Sequence, residues 1–166
     1  MNRALLARLG PSLILALVGF GADRLHKFIQ IDVLGWAGGE YIQVTSFFDY
    51  VLVWNPGISY GLLGDIPFWV LAALVTAALV GLSVWWFRAD SALLRAGLAL
   101  AIGGALSNAS DRARYGAVAD FFHFHWQDWS FYIFNLADAA ITIGVLLLLL
   151  DFVGIGRGKR SERIAA

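Results

Sequence analysis

Two aspartates, Asp120 and Asp138, are the residues whose types and surroundings point most directly to chemistry. Asp138 lies in the segment FNLADAAITIGVLLLLL, where twelve uncharged residues follow it. An ionisable residue inside an apolar membrane segment costs roughly 2.5–3.5 kcal/mol on insertion scales and is rarely kept without a function. We interpret the rest of the chain as the scaffold that brings a second carboxylate, that of Asp120, to meet it.

Two carboxylates held a few ångströms apart cannot both ionise, so one keeps a proton near neutral pH while the other remains a base. Amide hydrolysis by water requires this division. The charged carboxylate takes a proton from water, and the neutral one donates a hydrogen bond to the scissile carbonyl oxygen and later helps to protonate the leaving nitrogen. Neither a metal nor a covalent intermediate is needed. Spacing alone leaves open a structural alternative, in which Asp120 is a solvated loop residue and Asp138 pairs with an arginine for assembly.

Polar residues at helical spacing accompany this pair. Asn108, Asp111 and Arg112 are separated by intervals that place them on one face of a helix. Asn135 and Asp138 repeat the spacing of three. Amide and guanidinium groups beside two carboxylates are suited to positioning them and a substrate backbone, although each residue taken singly also fits capping or helix-bridging contacts.

Two further pairs of residues are candidates for supporting such a site. Asp23 and Lys27 are four apart, the spacing of a helical ion pair, for which a structural role is favoured. Asn55 and Gly57 flank a proline in a predicted turn, where the glycine would permit close approach of an extended peptide. A plain turn fits these two residues equally well.

Other chemistries have weaker support. His123 and His125 would share one face of a strand, but a metal site there needs a third ligand from a carboxylate, and interfacial histidines are the more usual interpretation. Ser107 and Ser110 lack a lysine or histidine at a recognisable spacing. The absence of cysteine excludes disulfides, thiolate catalysis and cysteine metal ligands. We therefore expect neither a metal nor another cofactor.

Composition indicates an integral membrane protein with one domain over residues 1–166. Hydrophobic residues make up 60% of the chain and charged residues 14%, against about 45–50% and 25% in soluble domains. The mean hydropathy of +0.72 agrees. The formal net charge is +0, so no surface for nucleic acid is predicted.

Four segments are apolar and long enough to be predicted as membrane spans, which need about 20 residues each. We therefore predict an all-α membrane protein with spans over residues 4–22, 66–87, 92–110 and 133–153, and outer loops over 23–65 and 111–132. Asp138 would then lie below the outer end of the fourth span by roughly 7–8 Å, at 1.5 Å per residue.

The charge distribution predicts the orientation of these spans. Eight of the twelve lysines and arginines fall on the side of the two termini, which the positive-inside rule makes cytoplasmic. Nine of the twelve acidic residues fall in the outer half, so the acidic chemistry faces away from the cytoplasm. The tail from Gly154 is predicted to be a flexible cytoplasmic end.

The outer loops have patterns of their own. Residues 40–54 (EYIQVTSFFDYVLVW) are rich in β-branched and aromatic side chains and predict one or two short strands at the membrane interface. Residues 121–132 (FFHFHWQDWSFY) form an aromatic belt suited to headgroup depth.

Five short motifs follow one another along the chain. They are DRLHK (23–27), NPGISY (55–60), NASDR (108–112), GAVADF (116–121) and FNLAD (134–138). On these motifs the sequence resembles the lipoprotein signal peptidases, also called signal peptidase II, which are bacterial intramembrane aspartyl peptidases. The ordered set extends over nearly the whole chain and fits the four predicted spans.

The resemblance implies that Asp120 and Asp138 are the catalytic pair. It implies that residues of the other motifs line or support the site, namely Asp23, Lys27, Asn55, Gly57, Asn108, Asp111, Arg112 and Asn135. The outer strands would form a small extracytoplasmic β-cradle that clamps the substrate. That substrate would be a prolipoprotein carrying diacylglycerol on a cysteine, cut just before this cysteine. The enzyme would be a monomer in the bacterial inner membrane, in contact with its lipid.

Three departures from the family pattern lie outside the catalytic pair. Arg24 replaces a usual glutamine and changes the local charge, Ser107 replaces a usual glycine, and Ser59-Tyr60 stand where alanine and phenylalanine are common. Two alternative functions remain open on the sequence. One is a small transporter or proton-conducting protein in which the two aspartates relay protons, and the other is a family member that has kept the fold without the activity.

Overall fold

The computed structural model describes residues 3–57 and 67–155, without the side chains of residues 4–6. The departure at Ser59-Tyr60 and most of the predicted tail lie outside the described residues. The described chain is mostly helical, with one small antiparallel sheet, as the sequence predicts. Its elements in order are α1 (Arg3–Lys27), a π-helical continuation (Phe28–Val33), β1 (Tyr41–Gln43), β2 (Phe48–Asn55), α2 (Phe68–Arg88), α3 (Ala92–Tyr115), β3 (Val118–Trp126), β4 (Trp129–Ser130) and α4 (Leu136–Phe152).

The helix ends differ from the predicted spans where polar residues take part in helical hydrogen bonding. Helix α3 continues to Tyr115 and ends at Gly116, whose φ of 76° is the left-handed conformation that favours glycine. Asp111 and Arg112 therefore belong to this helix and not to an outer loop. Helix α4 begins only at Leu136, because the side chain of Asn135 caps it.

Helix α3 is the centre of the helical part and packs against α1, α2 and α4. Its approach to α4 depends on Gly104, because a Cβ atom built there would overlap the carbonyl oxygen of Ala137. Small residues of this kind let two helix backbones approach closely in membranes. One turn further along α3, Asn108 therefore lies within hydrogen-bonding distance of Asp138 in the first turn of α4.

The outer faces of the helices are apolar. Leu17 of α1, Trp69 of α2 and Leu149 of α4 are 62%, 71% and 56% exposed. Exposed apolar faces of this extent are typical of contact with lipid. Among the described residues, α2 and α3 are the helices long and apolar enough to cross a membrane on length and composition.

The sheet has the order β1-β2-β3-β4, and each strand is antiparallel to its neighbour. Strands β1 and β2 lie in the segment predicted to form one or two strands, whereas β3 and β4 arise from the segment interpreted as an interfacial aromatic belt. Leu52, Ala119 and Phe121 form the buried centre of the sheet. Asp120 lies on β3 and is 3% exposed, so the alternative of a solvated loop residue is wrong.

Exposed aromatic side chains lie toward both edges of the sheet, on β1 and on the β3–β4 pair. Tyr41, Trp126 and Trp129 are all more than half exposed. Tyrosine and tryptophan at such positions are typical of the membrane–water interface, since one end of each ring system is apolar and the other polar.

A buried cluster of charged side chains joins the helices to the sheet. We call it the Lys27 cluster, and it consists of Asp23, Arg24, Lys27 and Asp111. The Lys27 ammonium lies 2.8 Å from Asp23 Oδ2 and 2.5 Å from Asp111 Oδ2, with none of the three side chains more than 1% exposed. Arg24 Nη2 lies 2.5 Å from Asp111 Oδ1. The predicted ion pair between Asp23 and Lys27 is therefore present, within a larger network.

The two carboxylates of this cluster also accept backbone hydrogen bonds from distant segments. Asp23 Oδ1 accepts from the backbone N–H of Ala137 at 3.0 Å, which satisfies one of the free donors at the start of α4. Asp111 Oδ2 accepts from the backbone N–H of Ala119 on β3 at 3.3 Å. Ala137 precedes Asp138 and Ala119 precedes Asp120, so the cluster fixes the backbone immediately before each of the two predicted catalytic residues.

Replacing Lys27, the central cation, tests how much this cluster contributes to the free energy of unfolding. Lys27→Met should lower the free energy of unfolding by about 3–5 kcal/mol, because removing one partner of a buried ion pair leaves an uncompensated charge. Arg114→Met is the matched control, since the Arg114–Asp32 pair has side chains that are 59% and 28% exposed and should matter by no more than about 1 kcal/mol. Denaturant unfolding in detergent, followed by tryptophan fluorescence, measures both, and equal losses would contradict a structural role for Lys27.

Candidate active site

Asp138 is the third residue of α4 and forms a capping box with Asn135. The Asn135 side chain accepts from the backbone N–H of Asp138 at 2.9 Å, and Asp138 Oδ2 accepts from the backbone N–H of Asn135 at 3.2 Å. Helix α4 begins at Leu136 and not near residue 133, so Asp138 lies in its first turn. At that position the helix dipole favours its negative charge.

Asp120 points from β3 toward the same region. Its Oδ1 accepts from Asn135 Nδ2 at 2.7 Å, and its Oδ2 accepts from Asn55 Nδ2 at 3.1 Å. Burial, followed by the negative charge of Asp138, raises the pKa of Asp120 to about 7, while the hydrogen bonds from Asn55 and Asn135 and the charge of Lys27 oppose the rise. A carboxyl group with such a pKa exchanges its proton near neutral pH.

Two asparagines connect the carboxylates. Asn135 Nδ2, which donates to Asp120, also lies 3.1 Å from Asn108 Oδ1, and Asn108 Nδ2 donates to Asp138 Oδ1 at 2.8 Å. Asn108 Oδ1 in turn accepts from Lys27 Nζ at 3.2 Å. A continuous chain of amides thus runs from one aspartate to the other. The buried ammonium group orients this chain, because it binds the oxygen of Asn108 and so turns the amide nitrogen toward Asp138.

Both aspartates open into one cavity of about 290 Å³ between α2, α3, α4 and the sheet. Its polar wall consists of Asn55, Asn108, Arg112, Asp120 and Asp138. The remaining wall is largely apolar and includes Val75 and Leu79 of α2 and Ile141 of α4. A cavity with convergent polar groups at one side and aliphatic side chains on the other suits a substrate with the same division.

Arg112 joins the cavity to the end of β2. Its Nη2 donates to the carbonyl oxygen of Gly57 at 2.6 Å, and its Nη1 donates to the carbonyl oxygen of Asn108 at 3.4 Å. Asn55 Oδ1 accepts from the backbone N–H of Gly57 at 3.1 Å, so the predicted turn is closed by its own asparagine. The Arg112 Nε is buried and has no hydrogen-bond partner among the described residues.

Eight of the ten predicted site residues lie in the cavity wall or in the Lys27 cluster. The other two, Gly57 and Asn135, are hydrogen-bonded to Arg112 and Asp120 of the cavity wall. Two participants were not predicted. Arg24 pairs with Asp111, and Ser107 Oγ donates to Asp23 Oδ2 at 2.7 Å. Both residues depart from the family pattern, Arg24 within the first motif and Ser107 directly before the third. That departure was the signal that could have identified them. Among the described residues, one further group could hold a metal ion, formed by Asp49, His123 and His125 away from this cavity wall.

Comparison with known proteins agrees with the resemblance drawn from the motifs. The family model described as signal peptidase (SPase) II matches residues 15–154. A lipoprotein signal peptidase of Methylorubrum extorquens is 54% identical over 112 residues, 66% of each chain. A lipoprotein signal peptidase of Methylobacterium radiotolerans is 47% identical over 158 residues, covering 91% of this chain and 89% of the relative.

A solved structure described as a bacterial membrane enzyme has the same fold. It superimposes with a TM-score of 0.78 and 27% sequence identity, and the match covers 92% of this chain and 93% of the other. The family match extends over both aspartates, both asparagines and the Lys27 cluster. The chain therefore belongs to the signal peptidase II family.

Proposed function

We propose that this chain is an aspartic endopeptidase in which Asp120 and Asp138 hydrolyse the signal peptide bond of a lipoprotein precursor. The family to which this chain belongs, and the lipoprotein signal peptidases that the chain resembles, are peptidases of a bacterial membrane. The alternative of a proton-relay protein is therefore not favoured. The observation that carries the aspartic mechanism is the connection of the buried Asp120 carboxylate and the half-buried Asp138 carboxylate through Asn135 and Asn108 in one cavity.

The two aspartates would divide the acid and base roles between them. Asp138 lies at the positive end of a helix and accepts hydrogen bonds from an amide and a backbone N–H, which stabilise its anion. Asp120 has a pKa raised to about 7 and so holds a proton near neutral pH. Asp138 would be the base and Asp120 the acid in the first step.

The reaction follows from these roles. Asp138 takes a proton from a water molecule as its oxygen attacks the scissile carbonyl carbon, and Asp120 donates a hydrogen bond to the carbonyl oxygen. The tetrahedral intermediate then collapses as the C–N bond breaks, and the leaving nitrogen receives a proton from the pair. The products are the carboxylate of the released signal peptide and the free amino group of the lipoprotein. The Arg112 guanidinium in the cavity wall would orient a substrate carbonyl near these groups.

The substrate would be a prolipoprotein carrying diacylglycerol on the cysteine that follows the cut. The apolar wall formed by α2, α3 and α4 would hold the hydrophobic signal segment. A second cavity of about 360 Å³ adjoins the site through Asn55 and Asp120 and is otherwise lined by residues of the sheet and of segment 130–133. It would receive the chain on the other side of the cut.

We further propose that all four helices cross the bacterial inner membrane, with both termini cytoplasmic and the sheet outside. The distribution of basic residues and the apolar outer faces support this arrangement. Because the chain has no cysteine, single introduced cysteines can be labelled to test this orientation. A membrane-impermeant maleimide should label Asp128→Cys in intact cells with permeable outer membranes, but label Arg88→Cys only after lysis. The reverse pattern would reject the orientation.

Removing either carboxylate should abolish cleavage. Asp120→Asn and Asp138→Asn keep the shape of the side chain but eliminate the shared proton, so we expect a loss of at least about a thousandfold in the rate, as for paired catalytic groups. The assay is cleavage of a diacylglyceryl-modified prolipoprotein in detergent or liposomes. Asp128→Asn, on an exposed turn, is the matched control and should cleave at the parent rate. Substantial cleavage by a variant of either member of the proposed catalytic dyad, Asp120 and Asp138, would reject the aspartic mechanism.

The pH profile should reflect the proton on Asp120. Because the acid form of Asp120 is required, kcat/KM should fall about tenfold per pH unit above the pKa of about 7. Asn55 donates to Asp120 Oδ2 and opposes the raised pKa, so Asn55→Ala should move the alkaline limb to higher pH. An alkaline limb that stays in place, or moves to lower pH, would show that Asp120 does not hold the proton.

A further inference from the structure

Three potential metal ligands meet on one face of the sheet, outside the catalytic cavity wall. His123 and His125 are two residues apart on β3 and so share a face, and Asp49 of β2 is the register partner of His123. Asp49 Oδ2 lies 3.4 Å from His123 Nδ1 and 2.9 Å from His125 Nε2. One ligand atom from each residue falls within 4.8 Å of the other two.

Two polar atoms of this group lack a hydrogen-bond partner among the described residues. Asp49 is 3% exposed, yet its Oδ1 is buried without a hydrogen-bond partner, and His125 Nε2 also lacks one despite its closeness to the carboxylate. The hydroxyl of Tyr41 on β1 also hydrogen-bonds to the Asp49 carboxylate. Buried polar atoms are rarely left unpaired, and a cation between the three side chains would satisfy both of these atoms.

The next layer of contacts fits metal ligation. His123 uses its Nε2 to contact Ser130 Oγ at 2.7 Å, while its Nδ1 faces Asp49. Metal-bound histidines almost always donate their second ring N–H to an oxygen atom, which fixes the tautomer and the ring orientation. Ser130 Oγ itself donates to the carbonyl oxygen of Phe131 at 3.2 Å, so its lone pairs are free to accept from His123.

We propose that Asp49, His123 and His125 form a binding site for a divalent transition metal ion, with Zn²⁺ the best match. Two imidazoles and one carboxylate are a common zinc ligand set that leaves a fourth position for water. Tetrahedral zinc with bonds of about 2.0–2.2 Å places its ligand atoms about 3.3–3.5 Å apart. The spacing of Asp49 Oδ2 and His123 Nδ1 matches this value, and a small rotation of His125 would provide the third.

The ion would link β2 to β3 beside the second cavity, whose wall includes His123 and Ser130. It would not take part in hydrolysis, because the side chains that bind it are separate from the carboxylates and amides of the dyad. Its role would be to fix the relative position of two strands of the cradle, and with them one wall of the space proposed for substrate.

Metal binding by the purified protein tests this site independently of cleavage. The full chain, purified in detergent without a polyhistidine tag and stripped with EDTA, is dialysed against Zn²⁺ and its metal content measured. We expect one saturable equivalent per chain. Asp49→Asn, His123→Gln and His125→Gln should each weaken binding at least about tenfold, and Ser130→Ala, which keeps all three ligands, about 10–100-fold.

The third histidine of the chain provides the matched control. His26→Gln should bind Zn²⁺ like the parent, because His26 contacts Tyr50 and aromatic rings and not this cluster. Zn²⁺ should also raise the unfolding temperature of the parent and of His26→Gln but not that of Asp49→Asn, and size-exclusion elution confirms that each variant is folded. Binding below one equivalent, or equal binding by parent and ligand variants, would overturn the proposal.

Discussion

The structure depends on one buried ammonium group held between two buried carboxylates. Lys27, Asp23 and Asp111 are at most 1% exposed, and charges removed from water in this way are tolerated only when all partners are in place. The three residues come from α1 and α3, and their remaining hydrogen bonds reach α4 and β3. Neutralising this charge therefore requires α1, α3, α4 and β3 to meet in one arrangement. The fold depends on this cluster as a whole.

The same arrangement determines the geometry of the site. The cluster carboxylates hold the backbone N–H groups of Ala137 and Ala119, each next to one of the dyad aspartates, and the ammonium orients Asn108, from which the amide chain begins. Helix α3 can come this close to α4 because Gly104 has no side chain. Pre-organisation of this kind places two acidic groups together without contributing a further charge to the cavity.

The sequence predicted the helical class and strands in the segment around residues 40–54, because span length and β-propensity are local properties. Its motifs also included most of the side chains that the structure brings together around the cavity. It did not predict that Asp120 lies on a strand, since the segment FFHFHWQDWSFY that follows Asp120 fits both an interfacial loop and a strand. The start of α4 was placed three residues early because hydropathy does not detect a capping asparagine. The carboxylate partner of His123 and His125 was also missed, since pairing with Asp49 depends on a strand register that no local pattern specifies.

The two described departures from the family pattern have a common physical explanation. A glutamine at position 24 would leave two carboxylates against one cation, whereas Arg24 gives the cluster two of each. Ser107, in place of glycine, adds a donor to Asp23 Oδ2, the oxygen that also faces Lys27. Both substitutions act on the buried carboxylates and neither contacts the dyad. The added arginine therefore keeps the charges of the cluster balanced, with two carboxylates against two cations, and the charge balance is reached without any contact to the catalytic carboxylates.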